Sequence, residues 1–167
     1  MKPFYQSVLL SLCFICLSCN DDDSTCIEFE CLSEAEKDRV INFVDTAFDY
    51  YNSHDHDEAL AAFSDPSGSF IDNELYIFVI DIEHYNTEIA TVLAHGFQAE
   101  MIGQNVFFLK DIYGSNIIEK QLTGTDNAAN RGWSEFYWDN PETQKIGKKF
   151  AYIIKTGNLL IGSGTYK

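Results

Sequence analysis

The sequence predicts an α+β domain in which a long N-terminal helix packs on one face of a mainly antiparallel sheet. Three observations predict it. Apolar residues recur with a helical period in one stretch near the start of the folded part. After it come short runs rich in β-branched and aromatic residues. Turn residues such as Asn140-Pro141 and Thr156-Gly157-Asn158 punctuate those runs.

Residues 1–18 carry a single charge, Lys2, followed by an apolar run from Val8 to Leu17 broken only by Ser11. A permanent bilayer-spanning helix needs about 20 apolar residues, so the run reads as a secretory signal peptide. It ends on Cys16-Leu17-Ser18-Cys19, which resembles a lipobox and makes Cys19 the expected lipid-bearing N-terminus. An ordinary signal peptide cut near Ser18 is the alternative. Residues 19–32 then form an acidic tether. Its Asn20-Asp21-Asp22-Asp23 resembles the signal that sends some Gram-negative lipoproteins to the outer face of the outer membrane. The expected location is therefore the outer membrane, facing the periplasm or the cell surface.

Of five cysteines, Cys13 and Cys16 leave with the signal and Cys19 is taken by lipid, so Cys26 and Cys31 remain. An even pair in an oxidising compartment predicts a disulfide. Two free thiols or a metal site are the alternatives, although no His stands at zinc-ligand spacing from the pair. The net charge of −15 is concentrated in residues 1–100, and residues 101–167 are slightly basic. Such a chain repels nucleic acid and anionic lipid. Membrane attachment then falls to the lipid anchor alone, and an anionic ligand needs a local basic spot in the second half.

Residues 33–167 are the folded domain. Ser33-Glu34-Ala35-Glu36 is a capping box, and Val40, Phe43, Val44, Ala47, Phe48 and Tyr51 mark one face of a helix ending near Asn52-Ser53. A shorter helix follows through Glu58-Ala59-Leu60-Ala61-Ala62-Phe63, stopped by Asp65-Pro66-Ser67-Gly68. The expected strands are residues 75–80, 91–95, 133–138, 150–154 and 159–162. Residues 96–132 between two of them are loops and short helix, a length that suggests a lid or pocket wall.

Several short motifs stand in register along this region: Leu75-Tyr76-Ile77-Phe78-Val79-Ile80-Asp81, Val92-Leu93-Ala94-His95-Gly96, Ile102-Gly103-Gln104-Asn105 and Leu109-Lys110-Asp111-x-x-Gly114. They continue in Gly132-Trp133-x-x-Phe136-Tyr137-Trp138-x-Asn140-Pro141, Lys149-x-x-Tyr152 and Ile161-Gly162-Ser163-Gly164-Thr165-Tyr166. Their order and spacing resemble the single-Cache domains, the extracellular sensor modules of bacterial chemoreceptors and sensor kinases. The connection from Glu83 to Ala90 is longer than the family's usual turn. The resemblance implies a PAS-like sheet with a small-molecule pocket between one sheet face and the loops after His95, and ligands such as short carboxylates, amino acids or other metabolites. Receptors of the family continue from the last strand into a transmembrane helix, whereas this sequence ends at Lys167. The resemblance therefore implies a module that passes its signal to a separate signalling or transport partner protein, or simply holds its ligand.

On this reading the candidate ligand contacts are Tyr76, Phe78, His95, Trp133, Tyr137, Lys149 and Tyr152. Alternation places one of Lys148 or Lys149 on the inner sheet face, and a buried Lys is costly unless an anion meets it; a solvated edge lysine is the alternative. The three tyrosines supply hydroxyls on strands expected to line the pocket, and Trp133 and Phe78 an apolar wall. His95 belongs to the pocket rim in the family, although a lone His is commonly structural. His54-Asp55-His56-Asp57 sits at a helix break, where Asp55 or Asp57 serves as N-cap better than as a metal ligand. No resident metal or cofactor is expected. Enzyme motifs are missing: there is no Gly-x-Ser-x-Gly elbow, His-Glu-x-x-His pair or glycine-rich phosphate loop. The alternative to a ligand-binding sensor is a protein-interaction or scaffold lipoprotein whose sheet face is filled by side chains.

Overall fold

The computed structural model describes residues 31–167. The signal segment, Cys19, the acidic residues that follow it and Cys26 lie outside the described residues.

Helix α1, Glu34–Ser53, begins on both halves of the capping box: the Glu36 amide donates to Ser33 Oγ (3.3 Å), and the Ser33 amide donates to Glu36 Oε2 (2.8 Å). Its buried face is Val40, Val44 and Ala47. Helix α2, His56–Phe63, follows after one turn; Asp55 occupies its N-cap position without a side-chain cap bond. A small hairpin of β1 (Ile71–Asp72) and β2 (Leu75–Tyr76) leads into β3 (Phe78–Asp81). The single strand expected at residues 75–80 is thus two. Tyr76 pairs with Ile71, Phe78 pairs with Gly162 and His95, and the chain passes between the two sheets at the fully buried Ile77.

The main sheet is completed by β4 (Thr91–His95), β5 (Arg131–Asn140), β6 (Lys145–Thr156) and β7 (Leu159–Tyr166). Its order is β4-β3-β7-β6-β5, and every neighbouring pair is antiparallel. Alternation along the strands divides the side chains into two layers. Val79, Ile154 and Ile161 face the α1–α2 side, in clusters that include Val40, Val44, Ala47 and Phe63. Ile80, Val92, Phe136, Ala151, Ile153 and Leu160 face the opposite side.

Residues 96–130 cover that second side and are fixed at both sheet edges. On the β4 edge, Val92 N donates to Gln104 O (3.1 Å), Gly103 N to Val92 O (2.8 Å) and Val106 N to Ala90 O (2.7 Å). The segment then runs into α3, Ile117–Thr125, capped by Asn116, whose side chain accepts from the Glu119 amide. At the β5 edge, Lys120 Nζ donates to Glu135 O (2.8 Å) and Asn127 Nδ2 to Arg131 O (2.8 Å). The segment thereby covers part of both sheet edges, where a further strand would otherwise pair. No helix among the described residues is long and apolar enough to cross a membrane.

Candidate functional site

A cavity lies between the second sheet face and this covering segment. Its floor carries Tyr76, Phe78, Ile80, Val92, His95, Phe136, Trp138 and Lys149, and its roof Met101, Val106, Leu109, Ile117, Ile118 and Gln121. The centres of water molecules can occupy about 40 Å³ of it, space for about three waters at the ~10–15 Å³ each requires. Three waters fill about 90 Å³ of liquid, so the cavity fits an organic molecule of two or three carbons.

Lys149 is its dominant charge. Position 149 faces inward because its strand partners are Phe136 and Tyr166, and only 1% of the residue is exposed. Its neighbour Lys148 faces the other way and pairs with Glu135 at 3.0 Å. The Lys149 Nζ stands over the Tyr76 ring, 3.8 Å from its centre, and 5.2 Å from the Tyr166 ring centre. Among the described residues no carboxylate forms an ion pair with it. Burial holds its pKa well below the usual lysine value, against a smaller opposing pull from Glu74. Glu74 itself accepts from Thr165 Oγ1 (2.6 Å) and from Arg39 Nη1 on α1 (2.8 Å).

His95 reaches the cavity through an irregularity. Val92 and His95 are three apart and would sit on opposite faces of a regular strand. A register shift opposite Val79 and Ile80 turns both toward the cavity. The His95 Nδ1 accepts from the Gln98 amide (2.8 Å) and the Phe97 amide (3.3 Å), so the proton sits on Nε2. Burial, reinforced by the Lys149 charge, lowers its pKa to about 3. The ring therefore offers a neutral N–H donor across physiological pH. Tyr76 lies 4.8 Å away, ring centre to ring centre, and its hydroxyl is 3.5 Å from that of Tyr166, which donates to Asp139 O at 2.7 Å. Burial first of all raises the Tyr76 pKa, so the phenol stays neutral.

Of the seven residues expected to contact ligand, four are brought together here: Tyr76, Phe78, His95 and Lys149. The other three are not. Trp133 and Tyr152 pair across β5 and β6 and pack with Val40 and Val44 of α1, on the far side of the sheet. Tyr137 shares their parity and meets Tyr113 edge-on at 4.6 Å. The reason is alternation: Lys149 and Tyr152 are three apart in one strand, as are Trp133 and Phe136 in the next, and no bulge intervenes. The wall expected from Trp133 is built instead by Trp138, whose Nε1 donates to Gln98 Oε1 at 3.2 Å. Phe136 and Gln121 also line the cavity; parity with Lys149 marks Phe136 in the sequence, whereas nothing local marks Gln121. His54 stacks on Tyr50 at 3.7 Å and His56 meets Tyr51 edge-on, so each imidazole has an aromatic partner.

A family model described as a Cache domain matches residues 47–167. No curated protein sequence matches the chain. Among solved structures, a methyl-accepting chemotaxis protein from Vibrio parahaemolyticus RIMD 2210633 superposes with a TM-score of 0.61 at 19% identity, over 79% of this chain and 88% of that one. A Cache chemosensory domain described for its carboxylic acid recognition gives 0.63 at 18% identity, over 79% and 93%. The periplasmic sensor domain of a chemotaxis protein gives 0.56 at 18% identity, over 79% and 90%.

Proposed function

The chain belongs to the Cache domain family, and from that membership we propose that it is an extracytoplasmic sensor module whose cavity binds a carboxylate of two or three carbons. The observation that carries this reading is Lys149: a lysine amine enclosed in an apolar cavity, lying on a tyrosine ring and with no carboxylate ion-paired to it among the described residues. Such a group is costly when charged and alone. A ligand carboxylate supplies the missing charge, and a charge-assisted hydrogen bond in that setting is worth about 1.5–3 kcal/mol. On this reading the His95 Nε2–H donates to the second carboxylate oxygen. Phe78, Ile80, Val92 and Phe136 provide the apolar surface for the ligand's carbons. The similar chemosensory domain described for carboxylic acid recognition supports the same class.

Delivery and attachment belong to the same proposal. Residues 1–18 direct export, Cys19 carries the lipid, and the domain faces the periplasm or the cell surface from the outer membrane. The Cys26–Cys31 bridge is supported by the disulfide-bonded state of Cys31. A separate signalling or transport protein reads the ligand state. Cys19→Ser releases the protein from membranes on this reading, and unchanged membrane partition contradicts the anchor.

The test of the ligand class is a thermal-shift screen of short carboxylates, amino acids, sugars and divalent cations, preceded by native mass spectrometry of freshly purified protein. Short carboxylates are expected to raise the melting temperature. Stabilisation by a neutral sugar or a cation alone contradicts the proposal and leaves the fold assignment intact.

A further inference from the structure

Among the described residues, Gln121 is the one long polar side chain that lines the cavity from the roof. It projects from α3, is 2% exposed, and its Oε1 is enclosed with no hydrogen-bond partner. Fully buried polar atoms are almost always paired, and an acceptor left alone is more unfavourable than an apolar atom in its place. Neighbouring roof positions in the same helix are apolar, Ile117 and Ile118, so a leucine would complete the wall without that penalty. An amide here is therefore explained by a partner that arrives with the ligand.

We infer that Gln121 is a specificity-determining residue that accepts a hydrogen bond from a hydroxyl group on the ligand, so that the cavity selects short hydroxy-carboxylates over plain carboxylates. The inference rests on the proposed anion site at Lys149 and deepens it. The two polar poles lie on opposite walls: Lys149 and His95 rise from the sheet, and Gln121 descends from α3. A ligand spanning them carries its acid at one end and its donor at the other. The donor is a hydroxyl and not an ammonium, because a second cation would share an apolar enclosure with Lys149 and be repelled by it. Space for about three waters suits a molecule of glycolate or lactate size.

Titration calorimetry with matched pairs, glycolate against acetate and lactate against propionate, tests the inference on wild type, Gln121→Leu and Lys149→Met. Wild type is expected to bind each hydroxy acid about ten- to hundredfold more tightly than its plain partner, the effect of leaving one buried acceptor unpaired. Gln121→Leu is expected to remove most of that preference, the loss falling on the hydroxy acids. Equal affinities in wild type, a preference that survives Gln121→Leu, or tighter binding of glycine or alanine overturns the inference. Lys149-dependent binding of both acids with no hydroxyl preference overturns it and spares the anion site; absence of any acid binding overturns both. Should Gln121→Leu fail to fold, Gln121→Met makes the same comparison, and the wild-type ratio is decisive by itself.

Discussion

The amine of Lys149 lies 3.8 Å from the centre of the Tyr76 ring, on the cavity side of the sheet, with 1% of the lysine and 1% of the tyrosine exposed. A cation over an aromatic face gains about 2 kcal/mol when desolvated, less than the several kcal/mol that taking an ion out of water costs. The contact orients the amine without balancing its charge. That residual imbalance is what an anionic ligand relieves, and it has consequences for stability as well as binding.

The first consequence is a pH dependence of the unliganded protein. Lys149 has a lowered pKa when folded and an ordinary one, about 10.4, when unfolded. The unfolded state therefore binds the extra proton between those two values, and stability rises with pH across that window. Below the folded pKa the penalty is complete; above about 10.4 it vanishes. Urea unfolding of wild type and Lys149→Met from pH 6 to 9.5 checks this. The difference between them is expected to narrow as pH rises, with Lys149→Met equal or more stable at pH 6. A Lys149→Met variant less stable than wild type at every pH contradicts it.

His95 has a separate signature at acid pH. Its pKa is about 3 in the fold against about 6.5 when unfolded, so the unfolded state gains a proton first as pH falls below 6.5. Stability supplied by the neutral ring is complete above 6.5 and declines steadily toward pH 3. The loss at pH 4.5 is about 2.7 kcal/mol, at 1.36 kcal/mol per unit. His95→Gln, which cannot titrate, is expected to remove that portion of the acid sensitivity in denaturant titrations. By the same argument His95 does not tune ligand affinity between pH 5 and 8. An affinity step near pH 6.5 that disappears in His95→Gln counts against a His95 ring that stays neutral in the fold.

Ligand binding is expected to change the fluorescence of Trp138 and leave Trp133 nearly silent. Trp138 borders the cavity, whereas Trp133 lies against Tyr152 on the α1 side. Trp138→Phe then abolishes the ligand-induced change and Trp133→Phe preserves it. The opposite pattern places the ligand elsewhere.

Gly162 supports the cavity floor by lacking a side chain. A Cβ there would meet Phe78 Cζ at 2.6 Å and Ile153 Cγ1 at 3.1 Å. Gly162→Ala is expected to push the Phe78 ring into the cavity and destabilise the fold by about 1–3 kcal/mol. Chemical denaturation measures the stability loss, and a reduced response to short carboxylates reports the narrowed cavity. A variant of wild-type stability and affinity shows that Phe78 has room to move away.

How much of this was legible in the sequence divides along physical lines. The capping box at Ser33 and Glu36 and the apolar period through Val40, Val44 and Ala47 are local signals, and α1 follows them. Strands β4 to β7 follow their β-branched and aromatic runs, although β6 and β7 extend well past the expected ends because backbone pairing continues through Lys145, Gly147, Gly164 and Thr165. Lys149 was legible through alternation and the cost of burying an amine. Aromatic bulk pointed instead to Trp133, Tyr137 and Tyr152, and the parity that carries Lys149 inward sends those three outward. The bulge that admits His95 depends on how β3 and β4 pair, and Gln121 on where α3 docks. Those are tertiary facts with no local trace.

Calorimetric titration of a two- or three-carbon carboxylate into wild type and into Lys149→Met, at the same pH and salt, tests the Lys149 anion site most directly. Saturable binding to wild type is expected, with a roughly ten- to hundredfold loss in Lys149→Met and the variant as stable as wild type or more so. Equal affinity in the two proteins would contradict it.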